Sequence, residues 1–219
     1  MTMPTSRSHQ CVMPRCAASL VLAACAMLAA CAGPTSLQGH WRSPDAAAYR
    51  AGKVLAIAAV DDSTSRRLVE DNMVAALASK GVEAQPSYRW LPQAGPSSEP
   101  ELGKAVAAAG ADSVLLISPG KVSSETVVTP GTMIGPPPMV GMGGFYGYYR
   151  GVYAPVYIPP TAYTVRSISS EARLFDAASK TLKWAGAART ELSGTGLDEL
   201  TRQYAGVIVE ALVADGLIR

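Results

Sequence analysis

Between residues 53 and 117 the chain alternates twice between an apolar run and an amphipathic stretch with end signals, and that rhythm points to an α/β architecture. The run Lys53-Val-Leu-Ala-Ile-Ala-Ala-Val60 is nearly continuous in apolar residues, as a strand covered on both faces would be. Asp61-Asp62-Ser63 then supplies capping groups, with carboxylates placed where a helix dipole favours them. Val69, Met73, Ala76 and Leu77 follow at helical spacing, and Gly81 marks the stop. Val82 to Trp90 reads as a second strand.

The rhythm repeats once more. Ser98 and Glu101 stand at capping-box spacing, and Pro100 falls in the first turn, where its missing N–H costs little. Leu102, Ala105, Val106 and Ala109 line one face of a short helix that stops at Gly110. Asp112 to Ile117 is the third strand, and Val122 to Thr129 either extends it or returns beside it. Further on, Thr164–Phe175 and Thr181–Thr190 read as paired strands around the turn Asp176-Ala-Ala-Ser-Lys180. Leu197, Leu200, Tyr204, Val207, Ile208, Ala211 and Leu212 give a last helix with a clear apolar stripe, ending before Gly216. The expected fold is one α/β domain over 53–219, with a mixed sheet. Its order is β-α-β-α-β, a further strand, a long loop, then β-β-α. At about 165 residues it can bury a core without staples.

The long loop, 130–163, is unlike its surroundings. It holds seven prolines, seven glycines and one charge, Arg150. Seven of the chain's fourteen aromatic residues fall in it: Phe145, Tyr146, Tyr148, Tyr149, Tyr153, Tyr157 and Tyr163. Its prolines argue against a regular ladder, so it is expected to project from the domain. Tyrosines are rigid amphipathic groups suited to interfaces and to headgroup depth in a membrane. Phe145, Tyr146, Tyr148, Tyr149, Tyr153 and Tyr157 are the candidate interaction residues, against the plainer reading of a low-complexity insertion with no fixed partner.

The first thirty residues carry Arg7 and Arg15, no acidic residue, and then the apolar run Cys16–Ala30. That is a secretory signal pattern, and the run is short for a membrane-spanning helix. Leu28-Ala29-Ala30-Cys31 resembles the lipobox of bacterial lipoproteins, which implies cleavage before Cys31 and acylation of that cysteine. Leu22-Ala23-Ala24-Cys25 is a second match, but cleavage there would leave Met27-Leu28-Ala29-Ala30 behind the anchor, whereas Cys31 is followed by the turn-forming Ala32-Gly33-Pro34. Residues 1–30 are therefore assigned to a lipoprotein signal peptide, 31–52 to a tether, and Trp41 to packing that tether on the domain. By the lipoprotein resemblance, Ala32 rather than Asp after the anchor implies the outer membrane, and the domain is expected to face the periplasm.

With Cys31 as the new start, cysteines 11, 16 and 25 leave with the signal, so the mature domain has no thiol. Loss of Arg7 and Arg15 takes 19 basic and 17 acidic side chains to 17 of each. A neutral domain without a basic block gives no support for nucleic-acid binding. The histidines are His9, in the signal, and His40, in the tether, so neither a zinc cluster nor a histidine-based triad is expected. Gly-Lys at 120–121 lacks the rest of a P-loop, and Gly141-Met-Gly-Gly144 leads into no helix. No cofactor is expected. Asp61 and Asp62, at a strand's carboxyl end, are the one carboxylate pair that could serve an envelope glycan hydrolase. Helix capping is their plainer role.

The stretch Glu171-Ala-Arg-Leu-Phe-Asp-Ala-Ala-Ser-Lys-Thr-Leu-Lys-Trp-Ala-Gly resembles a widespread group of bacterial lipoproteins that carry a domain of unknown function and a Tyr/Gly/Pro-rich insertion upstream. The element order is similar to that of the N-terminal domain of TolB and of LpoB-type lipoproteins. The resemblance implies fold and compartment but no transferable contact residue. The expected function is a non-enzymatic envelope lipoprotein. It would be held on the membrane by its lipid and would bind or scaffold an envelope protein or a peptidoglycan-associated component.

Overall fold

A computed structural model describes residues 34–134, 156–192 and 194–218. The elements are β1 (Thr35–Arg42), β2 (Lys53–Ala58), α1 (Ser63–Ser79), β3 (Glu83–Pro86), α2 (Glu99–Ala109), β4 (Ser113–Thr129), β5 (Thr132–Ile134), β6 (Val156–Ile158), β7 (Thr161–Asp176), β8 (Leu182–Glu191) and α3 (Leu197–Ala214). Six strands form one mixed sheet in the order β1-β8-β7-β4-β2-β3. Its β2–β3 and β2–β4 pairs are parallel and the rest antiparallel. The α/β class and the β-α-β-α-β order from Lys53 to β4 are as the sequence implies, with β1 standing ahead of them.

Helix α1 and helix α3 pack side by side on one face of this sheet. Met73 and Leu77 from α1 and Ile208 and Leu212 from α3 are fully buried against Val54, Ala56, Leu115, Leu174 and Trp184. Trp184 lies flat over Gly186, and a Cβ there would stand 2.2 Å from the ring. Helix α1 starts as its sequence prescribes, with Asp62 accepting from Ser65 N–H at 2.7 Å. Helix α2 starts on the capping pair, with Ser98 N–H donating to Glu101 at 2.8 Å. It ends at Gly110, whose φ of 59° is cheap only without a Cβ.

Three readings of the sequence are corrected. The stretch 31–52 is not a free tether beyond its first residues. Thr35–Arg42 is an edge strand antiparallel to β8, and Ala46 is fully buried in a short 3-10 turn at Pro44–Ala48. Glycine and proline there do break a helical period, but an edge strand needs only backbone pairing, and it absorbs a bulge between Leu37 and Gly39. Trp41 consequently packs down no tether and is 49% exposed, while His40 stacks on Trp184 with its Nε2 3.3 Å from Asp215.

The second strand is shorter than Val82–Trp90. Pro86 has no N–H to continue the ladder, and the chain turns into a 3-10 segment at Ser87–Arg89. The third correction concerns the loop over 130–163, whose ends are ordered into strands. Val122–Thr129 extends β4, β7 begins at Thr161, and β5 pairs antiparallel with β6. The prolines set where pairing stops: the ladder breaks at Pro130 and at Pro159-Pro160, between the pairs Thr129↔Thr161 and Thr132↔Ile158.

Candidate interaction site

β4 and β7 are both longer than the sheet they belong to. β2 stops pairing with β4 at Ile117, and β8 stops pairing with β7 at Ser167. β4 and β7 run on together to Thr129↔Thr161, and from Ser124↔Arg166 outward, past the end of β8, they form a two-stranded ribbon. A register shift between Pro119 and Val122 marks the departure. Gly120 sits in that shift, where a Cβ would stand 2.0 Å from the Ser169 carbonyl oxygen. Only glycine lets the two backbones approach so closely.

The ribbon's surface is unusual in two ways. Charge is confined to its base, where Arg189 and Glu125 form a 3.4 Å pair. From Thr126 to Ile134 and from Val156 to Val165 there is no charged residue at all. The same segment exposes Val128 (61%), Met133 (60%), Ile134 (59%), Tyr157 (61%) and Tyr163 (55%). Large apolar side chains clustered on an exposed element mark an interaction surface more often than a solvated one. A two-stranded ribbon alone in water is also only marginally stable, so burial on a partner would reinforce it.

Of the six candidate interaction residues, Tyr157 lies on the β5–β6 ladder that follows this ribbon in the chain. It stands opposite Met133 in the β5–β6 ladder, its hydroxyl close over Gly131. Phe145, Tyr146, Tyr148, Tyr149 and Tyr153 lie outside the described residues, as does Cys31. The sequence missed Val128, Met133, Ile134 and Ile158 as members of the same surface. Their signal was the absence of charge across a stretch that alternates like a strand, hidden by the prolines on either side.

The alternative site takes a plainer form. Asp62 is occupied as the α1 cap, and its carboxyl is held below the usual range by the Ser65 N–H and hydroxyl. Asp61 is exposed beside it. The nearby feature that sequence reading overlooked is a buried charge network. Glu70, fully buried, accepts from Arg66 Nε at 2.9 Å, Ser87 Oγ at 2.7 Å, and the backbone N–H groups of Ala58 and Tyr88 at 3.1 and 3.0 Å. Arg66 in turn donates to the carbonyls of Leu91 and Gln93 at 2.8 and 2.6 Å. Every strong partner is already inside the protein, so this network ties α1, the end of β2 and the segment 87–93 together. In sequence it is only an Arg and a Glu four apart, indistinguishable from a surface pair.

No family description matches the chain, and no curated protein matches it. Solved structures do. A PelC dodecamer from Paraburkholderia phytofirmans is 12% identical, with 84% of this chain and 99% of that one covered at a TM-score of 0.44. The lipoprotein GNA1162 from Neisseria meningitidis is 14% identical over 75% of this chain and 96% of its own, with a TM-score of 0.39. A PDZ domain protein from Parabacteroides distasonis is 11% identical over 82% of this chain and 35% of its own, at 0.33. The structural neighbours thus include a lipoprotein, at low identity.

Proposed function

We propose that this chain is a non-enzymatic cell-envelope lipoprotein. It is anchored to the outer membrane through acylated Cys31, faces the periplasm, and uses the β4–β7 ribbon to bind or scaffold another envelope component. The observation that carries the binding part is the uncharged, exposed apolar surface of Val128 and Tyr163 on this ribbon and of Met133, Ile134 and Tyr157 on the β5–β6 ladder that follows it in the chain. A protein or peptidoglycan-associated partner suits such a surface, because aromatic and aliphatic anchors bury area without desolvating a charge. The anchoring part rests on the lipobox-like Leu28-Ala-Ala-Cys31 and on the removal of every other cysteine with the signal. The element order, similar to the N-terminal domain of TolB and to LpoB-type lipoproteins, fits the same compartment.

Two experiments test the two halves separately. Mass analysis of membrane-extracted protein is expected to find a chain starting at an acylated Cys31, and Cys31→Ser to release the protein or block cleavage where Cys25→Ser does neither. A photo-crosslinking residue at Tyr157 or Met133 is expected to trap a discrete partner in growing cells. The same residue at Arg202, on the exposed face of α3, should trap none. Equal trapping at both places would sink the ribbon as the binding element while leaving the anchor untouched.

A further inference from the structure

The start of β1 and the ribbon lie at the same end of the sheet. Thr35 pairs with Thr190, Thr190 with Ile168, and Ile168 with Val122, so β1 begins in a row just inside the ribbon. Pro34 stands one residue further out, its carbonyl accepting from the Glu191 N–H at 2.7 Å. The chain therefore enters the domain from the side toward which the ribbon runs. Only Ala32 and Gly33 separate Pro34 from Cys31. That link reaches about 11 Å at full extension. From the Val122 row to Thr129, β4 rises through seven residues, about 23 Å at strand spacing. An acylated Cys31 thus holds this end of the sheet against the lipid, and the ribbon outreaches the link that would keep it clear.

The ribbon's two faces fit lipid better than a single protein surface. Val127 pairs with Tyr163 on one face, and Val128 pairs with Ala162 on the other. Neither face carries a charge between Thr126 and Thr129 or between Thr161 and Val165. A flat docking surface would cover one face only, whereas lipid surrounds both. Depth is limited by the backbone. Among the described residues no third strand joins the ribbon, so the N–H and C=O groups of its outer edges need water or headgroups. The hydrocarbon core would leave them unmatched. Tyrosine and threonine on its surface suit headgroup depth, and charge returns at the base with Glu125 and Arg166.

We infer that residues 126–129 and 161–165 of the ribbon are seated in the headgroup layer of the membrane that holds Cys31, as a second contact beside the acyl chains. The domain then stands with this end of the sheet toward the lipid and the β7–β8 turn away from it. The inference rests on the anchoring half of the proposed function. It leaves Met133 and Tyr157, on the β5–β6 ladder, to the partner.

Cysteine labelling tests it, since acylation occupies the Cys31 sulfur and no other cysteine follows it. The acylated protein carries an NBD fluorophore at Val128→Cys, Tyr163→Cys or Ala178→Cys and is reconstituted in phosphatidylethanolamine–phosphatidylglycerol vesicles. Ala178, exposed in the β7–β8 turn, marks the opposite end of the sheet. Blue-shifted emission is expected at Val128 and Tyr163, with severalfold stronger quenching there than at Ala178 by lipid bearing a headgroup nitroxide. Emission and quenching that match Ala178 would put the ribbon in water and overturn the inference. So would a blue shift without nitroxide quenching, because a second copy of the chain would then be covering the ribbon. Both ribbon positions are exposed, so either label can stand alone if the other variant melts early. Vesicle flotation of the parent reads the anchor separately. A parent that does not float fails the anchor and the inference together, whereas one that floats with its ribbon labels in water fails the inference alone. Trapping from Met133 is scored independently of both.

Discussion

The inner and outer halves of β4 and β7 are the same two strands in the same antiparallel pairing, yet they live in different surroundings. In the inner half, Ser113–Ile117 against Ala172–Asp176, Leu115 and Leu174 are fully buried, and β2 and β8 pair along both outer edges. In the outer half, from Ser124 to Thr129, nearly every residue is exposed and, among the described residues, no third strand joins. Backbone pairing therefore sets the shape of both halves, while only the inner one is covered by helices. Stability should reside in the first and recognition in the second. Perturbations can be ranked by how sharply they divide the two.

The largest effect is expected from the buried charge network at the edge of the inner half. Glu70→Ala leaves the Arg66 guanidinium buried without its carboxylate and strands the N–H groups of Ala58 and Tyr88. Removing one partner of such a pair costs about 3–5 kcal/mol. Denaturant unfolding of the variant should show that loss, and Arg66→Met combined with Glu70→Leu should recover part of it. A loss below about 1 kcal/mol would mean that water reaches the network and that the helix-covered body is looser than its burial implies.

Gly120→Ala acts at the boundary itself. The added methyl would meet the Ser169 carbonyl, which is backbone and cannot swing aside as a side chain can. Overpacking of this kind costs about 1–3 kcal/mol. Amide exchange should show which half bears the cost. Protection is expected to fall around Val122 and Ile168, with Leu115 and Leu174 unaffected. Protection lost along the whole of β4 would show that the two halves unfold as one unit and that the division is only geometric.

How much of this was legible beforehand follows from the same contrast. The inner half announced itself because burial imposes a pattern: Asp112 to Ile117 and Arg173 to Phe175 are apolar where a covered strand must be, and α3 carries its stripe from Leu200 to Leu212. The outer half has no burial to impose one, and its prolines read as the end of structure although they only divide one ladder into two. Thr35–Arg42 was hidden for a similar reason, since an edge strand is specified by its neighbour β8 and not by its own side chains. The Arg66–Glu70–Ser87 network was unreadable because Ser87 reaches it through the fold. The cavity at Tyr204, between the sheet and the paired helices, had no signature, its wall being assembled from residues of five separate elements and the segments between them.

A smaller effect, confined to the body, is expected in acid. Asp62 is held below its ordinary value of 3.8 chiefly by the Ser65 N–H, and Glu101 below 4.5 chiefly by the Ser98 hydroxyl. A carboxylate whose pKa is depressed by folding stabilises the protein above its unfolded value and loses that contribution as pH falls through the lower, folded one. The contribution is therefore complete at neutral pH and fades below about pH 4. Asp62→Asn and Glu101→Gln together should flatten the acid limb of melting temperature against pH and leave the neutral region nearly unchanged. An acid limb as steep as the parent's would assign acid sensitivity to other groups.

The smallest effect on stability is expected from the most drastic change. Joining Ile134 to Val156 through Asn-Gly removes residues 135–155 and closes β5 and β6 as a two-residue hairpin, the turn that suits the twist of antiparallel strands. Among the described residues, the core cluster is drawn from 46 to 218 on either side of that stretch. Loop-closure entropy changes only with the logarithm of loop length, so shortening it should alter stability by less than about 1–2 kcal/mol and in the favourable direction. The variant should melt within a few degrees of the parent. Crosslinking from Met133 and Tyr157 then separates two versions of the binding surface. If the partner is still trapped, the exposed ladder of β5 and β6 suffices and the tyrosines from 146 to 153 are accessory. If trapping is lost while the melt is kept, recognition lies in the removed residues. A variant that fails to fold would break the comparison itself, because residues outside the described core would then be holding that body together.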